Sequence, residues 1–251
     1  MRTVIANVVF LGEPGSEHWV LVDAGVATFA DNIAEAARQR FGSAAPQAII
    51  LTHGHFDHVG SLQALLQKWH VPVYAHEREL PYVTGKAAYP PPDPTVGGGL
   101  MADLAGLYPN EPIDIGASAR ALPADGTIPG LPQWRWIATP GHTAGHVSLF
   151  RDRDRTLLAG DAFITVKQES AFAVLTQLRE IHGPPTYFTP DWEAARDSVE
   201  RLEALRPETA VTGHGLPMSG EALRAGLAML ARDFVRMAVP EHGRYVGTIR
   251  S

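Results

Sequence analysis

The chain has 251 residues, 45% hydrophobic and 19% charged, enough for a sizeable core in one large domain or two small ones. A net charge of −6 without a basic run argues against a general nucleic-acid binder, and no apolar stretch approaches the roughly 20 residues that cross a bilayer. It has no cysteine, so disulfides and thiolate ligands are excluded, and any metal centre must use His, Asp and Glu.

The start, Met1-Arg2-Thr3-Val4-Ile5, lacks the design of a secretory leader, so a cytoplasmic enzyme is expected, although absence of cysteine fits secretion almost as well. Short apolar runs then alternate with helical patterns, which predicts mixed α/β layers. Strands are expected over Thr3 to Leu11 and Trp19 to Val22, then a helix over Ala30 to Phe41. A strand from Ala48 to Leu51, a helix from Ser61 to Trp69 and a strand from Val71 to Ala75 follow. Residues 81–119 interrupt the alternation, with seven of the chain's 20 prolines and the run Gly97-Gly98-Gly99. They read as a long insertion with short helices at most, such as Leu100 to Leu107. An ordered loop of that length more often covers a site than idles. Its apolar residues suit a homodimer interface as readily as a lid.

Strands resume at Trp134 to Ala138, His146 to Phe150 and Thr156 to Ala159, then a helix at Asp191 to Leu205, a strand at Thr209 to Val211 and a helix at Gly220 to Met237. The two helices show the clearest period: Trp192, Ala195, Val199 and Leu202 in one, Leu223, Leu227, Leu230, Phe234 and Met237 in the other. Thr189-Pro190 and Ser219 are their expected N-terminal caps. Without an internal repeat or a linker-like shift in composition, residues 1–251 read as a single domain.

The strand at Ala48 to Leu51 runs into His53-Gly54-His55-Phe56-Asp57-His58. Three imidazoles and a carboxylate in six residues are too many polar groups to bury unpaired. They are also ligand types that a borderline divalent metal prefers. Three later strands end in the same way, reaching His142 through Thr139-Pro140-Gly141, Asp161 after Gly160, and His214 after Thr212-Gly213. Sites in open α/β sheets form beyond the carboxyl ends of strands. Seven ligands, His53, His55, Asp57, His58, His142, Asp161 and His214, are too many for one tetrahedral zinc and suit two metals sharing a bridge. His18, His70, His182 and His242 are expected on the surface or in loops, and His76 at the start of a helix. His146 is expected to hydrogen-bond within its own loop. Asp23 reads either as a support for a ligand histidine or as an ordinary turn residue.

In Thr52-His53-Gly54-His55-Phe56-Asp57-His58-Val59-Gly60, Thr139-Pro140-Gly141-His142-Thr143-Ala144-Gly145-His146, Ala159-Gly160-Asp161 and Thr212-Gly213-His214-Gly215, the chain resembles the metallo-β-lactamase-fold superfamily, from near residue 3 to near residue 237. The resemblance implies an α/β fold, the four-layer αββα sandwich. It implies one metal on His53, His55 and His142, a second on Asp57, His58 and His214, and Asp161 bridging both. Zinc is the expected ion, although the same donors accept manganese, iron, cobalt and nickel. The implied reaction is attack by a metal-bridging hydroxide on a carbonyl, with Asp57 as the catalytic carboxylate that holds the nucleophile and passes on its proton.

The substrate expected is a small ester, thioester or lactone, as in the glyoxalase II-like and lactonase-like branches. The β-lactamases of the family generally lack an aspartate equivalent to Asp161, and several use a cysteine ligand, so β-lactam hydrolysis is an alternative of lower rank. A mononuclear iron sulfur dioxygenase is another. Relatives acting on nucleic acid usually add a basic arm or extra domain absent here, so the expected partner is a small molecule. Tyr187 reads as a candidate for steadying the substrate carbonyl, with Tyr89 and Tyr108 as weaker ones, and Lys167 as a contact for a substrate carboxylate.

Overall fold

A computed structural model describes residues 1–247 and 249. The chain divides into two compact units, Met1–Tyr89 with Asn110–Trp136, and Pro90–Pro109 with Ile137–Ser251. Residues 81–119 are thus divided, with the two ends in the first unit and 90–109 in the second. No helix among the described residues is long and apolar enough to cross a membrane.

The first unit opens with an antiparallel hairpin of β1 (Arg2–Thr3) and β2 (Ala6–Asn7). It continues into a five-stranded sheet of β3 (Val9–Leu11), β4 (Val20–Val22), β5 (Ile49–Ile50), β6 (Val73–Ala75) and β7 (Ala119–Ala121), ordered as numbered. The single strand expected over Thr3 to Leu11 is broken, because Val4 turns at φ 65° and the Thr3 hydroxyl donates to Ala6 O at 3.1 Å. Strand β7 escapes sequence reading because Ala119-Arg120-Ala121 has no β-branched or aromatic residue. It forms by parallel pairing with β6, Val73 opposite Ala119.

Helix α1 (Ala30–Phe41) buries Ala30, Ile33, Ala37 and Phe41, one face of a 3.6-residue period. Phe41 stacks on Trp19 at 4.5 Å, and Trp69, at the end of α3 (Leu62–Trp69), meets the same indole edge-on at 5.6 Å. Burying such rings contributes about 2–3 kcal/mol each. Between them in sequence lies the single turn α2 (Phe56–Val59), and a second, α4 (Leu80–Val83), follows β6. Strands β4, β5 and β6 are parallel, so Asp23, the 52–55 run and His76 all leave the same edge of this sheet. His76 starts no helix: α4 begins four residues later.

In the second unit the sheet order is β12-β11-β10-β9-β8, from β8 (Arg135–Ala138), β9 (Val147–Arg151), β10 (Thr156–Gly160), β11 (Thr209–Thr212) and β12 (Met218–Ser219). Strand β8 straddles the division between the units. Strands β9 and β10 form a hairpin, and β10 runs parallel to β11. Helix α7 (Trp192–Ala204) buries Trp192, Ala195, Val199 and Leu202, as the period predicts. Its cap is Asp191 itself, whose Oδ1 accepts from Ala194 N–H at 3.0 Å, rather than Thr189. The expected helix over Gly220 to Met237 is two, α8 (Gly220–Arg232) and α9 (Phe234–Met237), parted at Asp233, where ψ reaches 28°. Aspartate is a poor interior helix residue, and its carboxylate is drawn to Arg232 and Arg236. Ser219 occupies the α8 cap position without a side-chain cap bond. The short helices α5 (Leu100–Asp103) and α6 (Ala171–Thr176) complete the unit. Leu100 to Leu107 is helical as expected, but passes from α5 into a tighter 3-10 turn at Ala105–Leu107.

Candidate metal centre

Four of the seven donors leave the carboxyl end of β5. His55 has an extended backbone, φ −64° and ψ 153°, and stands just before α2, so Asp57 and His58 lie on the helical turn itself. All four are buried. The His53 ring centre lies 4.2 Å from that of His58 and 4.8 Å from that of His55.

Asp23 organises two of these rings. Its Oδ1 accepts from Thr52 N–H at 2.8 Å, and its Oδ2 from the Thr52 hydroxyl at 2.8 Å and from His58 Nδ1 at 2.9 Å. The Thr52 hydroxyl has a single proton, already donated to Asp23, so it accepts from His53 Nδ1, 3.1 Å away. In both imidazoles Nδ1 therefore serves as a hydrogen-bond donor, the pattern that orients a metal-binding histidine. Asp23 thus orients His58, one of the candidate ligands.

The second unit supplies the other three. His142 follows β8, Asp161 follows β10 and His214 follows β11. Asp161 Oδ2 lies 3.0 Å from His214 Nε2 and 3.5 Å from His142 Nε2. The tautomer of His142 is fixed by the same logic. The Thr189 hydroxyl donates to Pro185 O at 2.8 Å, so it accepts from His142 Nδ1 at 3.3 Å. Gly141 precedes this ligand at φ 133°, and a Cβ there would stand 2.4 Å from Ala195 N, so only glycine lets the loop lie on α7.

Both ring nitrogens of His146 are engaged by the protein. Its Nε2 accepts the Asp161 backbone N–H at 2.9 Å, and its Nδ1 donates to the Thr139 hydroxyl at 2.8 Å. The expected hydrogen bonding within its loop is observed, together with a contact to the next strand. Thr139 passes its proton to Ser148 Oγ at 3.0 Å, and Ser148 donates to Ala159 O at 2.9 Å. Every donor in this chain points the same way, which fixes all four groups.

Each unit thus gathers its own buried donors, His53, His55, Asp57 and His58 in the first and His142, Asp161 and His214 in the second. Imidazole nitrogens together with carboxylates are the donor types that fit a divalent cation. The supporting hydroxyls of Thr52, Thr139 and Thr189 were not assigned roles from sequence. Their signal was a threonine one to three residues before a ligand histidine, except for Thr189, which lies 47 residues from its histidine.

Of the candidate substrate residues, Tyr187 is buried in a 3-10 turn with its ring 5.7 Å from Tyr108 and 5.1 Å from Phe188. Lys167 is exposed and lines a pocket of about 230 Å³ with Glu169, His182 and Thr186. Tyr89 is removed from that list, because its hydroxyl accepts from Gly54 N–H at 2.9 Å and donates to Glu79. Burial, then the charge of Glu79, pushes its phenol well above the ordinary value of 10, so it stays protonated. His18, His70 and His242 are exposed, and His182 is half-buried in a loop.

The sequence is 54% identical over 229 residues, 90% of this chain and 87% of the relative, to the probable metallo-hydrolase YflN of Bacillus subtilis. Among solved structures it resembles TTHA1623 in a di-iron-bound form, at TM-score 0.58 and 27% identity, covering 90% of this chain and 92% of that one. The BLEG-1 B3 metallo-beta-lactamase superposes at TM-score 0.61 over 96% of this chain and 94% of that one; at 21% identity it shows the α/β sandwich fold alone. The profile of the Metallo-beta-lactamase superfamily matches residues 1–214, the span that carries every donor described above, and this chain belongs to that superfamily.

Proposed function

We propose that the protein is a metal-dependent hydrolase with a dinuclear centre, acting on the carbonyl of a small ester, thioester or lactone. The observation that carries this reading is the shared orientation of His53, His58 and His142, each with Nδ1 held by a threonine hydroxyl or a carboxylate of the protein. Histidines that merely pack have no reason to share that arrangement. The likeness to a probable metallo-hydrolase supports hydrolysis.

In this reading His53, His55 and His142 would hold one ion, Asp57, His58 and His214 would hold the second, and Asp161 would serve both. Zinc suits the donors; iron is supported by the di-iron form of a structural relative. When bound, such a pair supplies a nucleophile from water at neutral pH and Lewis acidity toward the carbonyl oxygen. Asp57 accepts the proton of the attacking water and delivers it to the leaving group. Tyr187 steadies the substrate carbonyl, and Lys167, at its pocket, meets a substrate carboxylate. The substrate is a small molecule met in the cytoplasm, and neither nucleic acid nor membrane takes part.

The test is metal analysis with a hydrolysis panel of aryl esters, acyl-homoserine lactones, S-lactoylglutathione, a chromogenic cephalosporin and a phosphodiester. About two metal equivalents and turnover of an ester, thioester or lactone are expected. One iron per chain with oxygen uptake, or preference for the cephalosporin, overturns the reading.

A further inference from the structure

Glu79 and Tyr89 lie outside the seven donors, yet both are buried, Glu79 completely. Glu79 stands just before α4, and Tyr89 at the start of the Pro/Gly-rich insertion. They meet at the peptide between two of the ligand histidines. Gly54 N–H donates to Glu79 Oε2 at 3.1 Å and to Tyr89 Oη at 2.9 Å, and the Tyr89 hydroxyl donates to the same Glu79 oxygen. The Tyr89 ring lies 4.4 Å from the His55 ring at 55°, and Tyr82 stacks on Tyr89 at 3.9 Å. Asn110 holds the Tyr89 backbone, accepting its N–H at 3.2 Å and donating Nδ2 to its carbonyl at 3.3 Å. A Cβ at Gly54 would stand 2.7 Å from Tyr89 Oη, so the fit is close.

Burying a carboxylate and a phenol costs several kcal/mol unless their hydrogen bonds are made, and here they are made to the backbone of the ligand loop. We infer that Glu79 and Tyr89 are positioning residues for the metal centre. They hold the Gly54 peptide, and with it the separation and tilt of His53 and His55, while the Tyr89 ring limits rotation of the His55 imidazole. The two ends of the insertion thereby brace the ligand loop within their own unit. This inference rests on the metal-centre reading.

The test uses the full chain, stripped of metal and titrated with Co2+, with affinity from competition against a chromophoric chelator and geometry from the visible absorption bands. Tyr89→Phe deletes the hydroxyl and keeps the ring. It should keep the near-ultraviolet circular dichroism of the wild type, lose about tenfold or more in metal affinity, and shift the cobalt bands. Tyr245→Phe removes a phenol that donates to Pro91 O at 2.7 Å and should change neither readout. Glu79→Gln keeps the shape, removes the charge and serves the same test if Tyr89→Phe does not fold. Folded variants with wild-type affinity and spectrum overturn the brace. A wild-type chain that takes up no cobalt overturns the metal centre itself, a separate result.

Discussion

His146 Nε2 accepts the backbone N–H of Asp161 at 2.9 Å, so a histidine outside the seven candidate donors sets where one of the candidate carboxylates begins. The bond crosses from the loop after β8 to the end of β10. Replacing His146 with Phe leaves the Asp161 N–H without its acceptor and the Thr139 hydroxyl without the donor it accepts from. Each buried orphan costs about 1–3 kcal/mol. His146→Phe should therefore lower unfolding stability in urea by about 2–5 kcal/mol and weaken metal binding. A loss near zero would mean that Asp161 is held in another way.

Asp23→Asn tests the corresponding support in the first unit. Asp23 accepts three hydrogen bonds, from Thr52 N–H, the Thr52 hydroxyl and His58 Nδ1. An asparagine must turn its NH2 group toward one of these donors. Metal affinity should fall about 10–100-fold, as when such supports are lost elsewhere. Equilibrium dialysis with zinc measures it, and an unchanged affinity would place Asp23 outside the centre.

The chain order of the strands and the ends at which chemistry collects were legible because apolar runs such as Ile49-Ile50-Leu51 and Leu157-Leu158-Ala159 are short, buried and soon followed by polar donors. Helix α7 was legible from Trp192, Ala195, Val199 and Leu202, which are buried as read. What escaped was set by tertiary contact. Val4 accepts a positive φ because Thr3 is tied to Ala6 and to Val26 N–H. Ala119 to Ala121 becomes a strand only because β6 lies beside it. Glu79 and Tyr89 carry no motif, since their role depends on meeting Gly54, 25 and 35 residues away in the chain. Local pattern reports donors well, and the groups that aim them poorly.

Metal removal should reduce stability by mass action, because donors arranged in the native chain are scattered in the unfolded one. With free zinc at about a thousand times its dissociation constant, the gain is about 4 kcal/mol. The melting temperature should therefore rise with zinc and return to the apo value on adding a chelator. A melting temperature indifferent to both would contradict a centre built from these side chains.

Gly141→Ala is expected to damage the second unit far more than Gly15→Ala. Both glycines have positive φ, so each substitution carries backbone strain of about 1–3 kcal/mol. At Gly15 the new methyl meets open space, whereas at Gly141 it falls on the backbone of Ala195. The alanine at 141 must push α7 or the His142 loop aside, adding about 1–3 kcal/mol of overpacking. Urea unfolding of the pair decides it, and equal losses would show that the His142 loop is free to move off the helix.

The turn that leads into Asp161 should show its own acid dependence. Asp154 lies between β9 and β10, where it accepts from Arg151 Nε at 3.0 Å and from the Thr156 hydroxyl at 2.9 Å. The Arg151 guanidinium is the main cause that lowers its carboxyl to about 2. A carboxylate that is depressed in the folded chain stabilises it above the unfolded value, near 4, and that stabilisation is lost as pH falls through the folded value. The stability difference between wild type and Asp154→Asn should thus be complete at pH 6, shrink below about pH 4 and vanish below about pH 2. The group is largely exposed, so the difference is small, and the pH at which it disappears carries the information. A difference that persists unchanged to pH 2 would show that Arg151 does not hold this turn through charge.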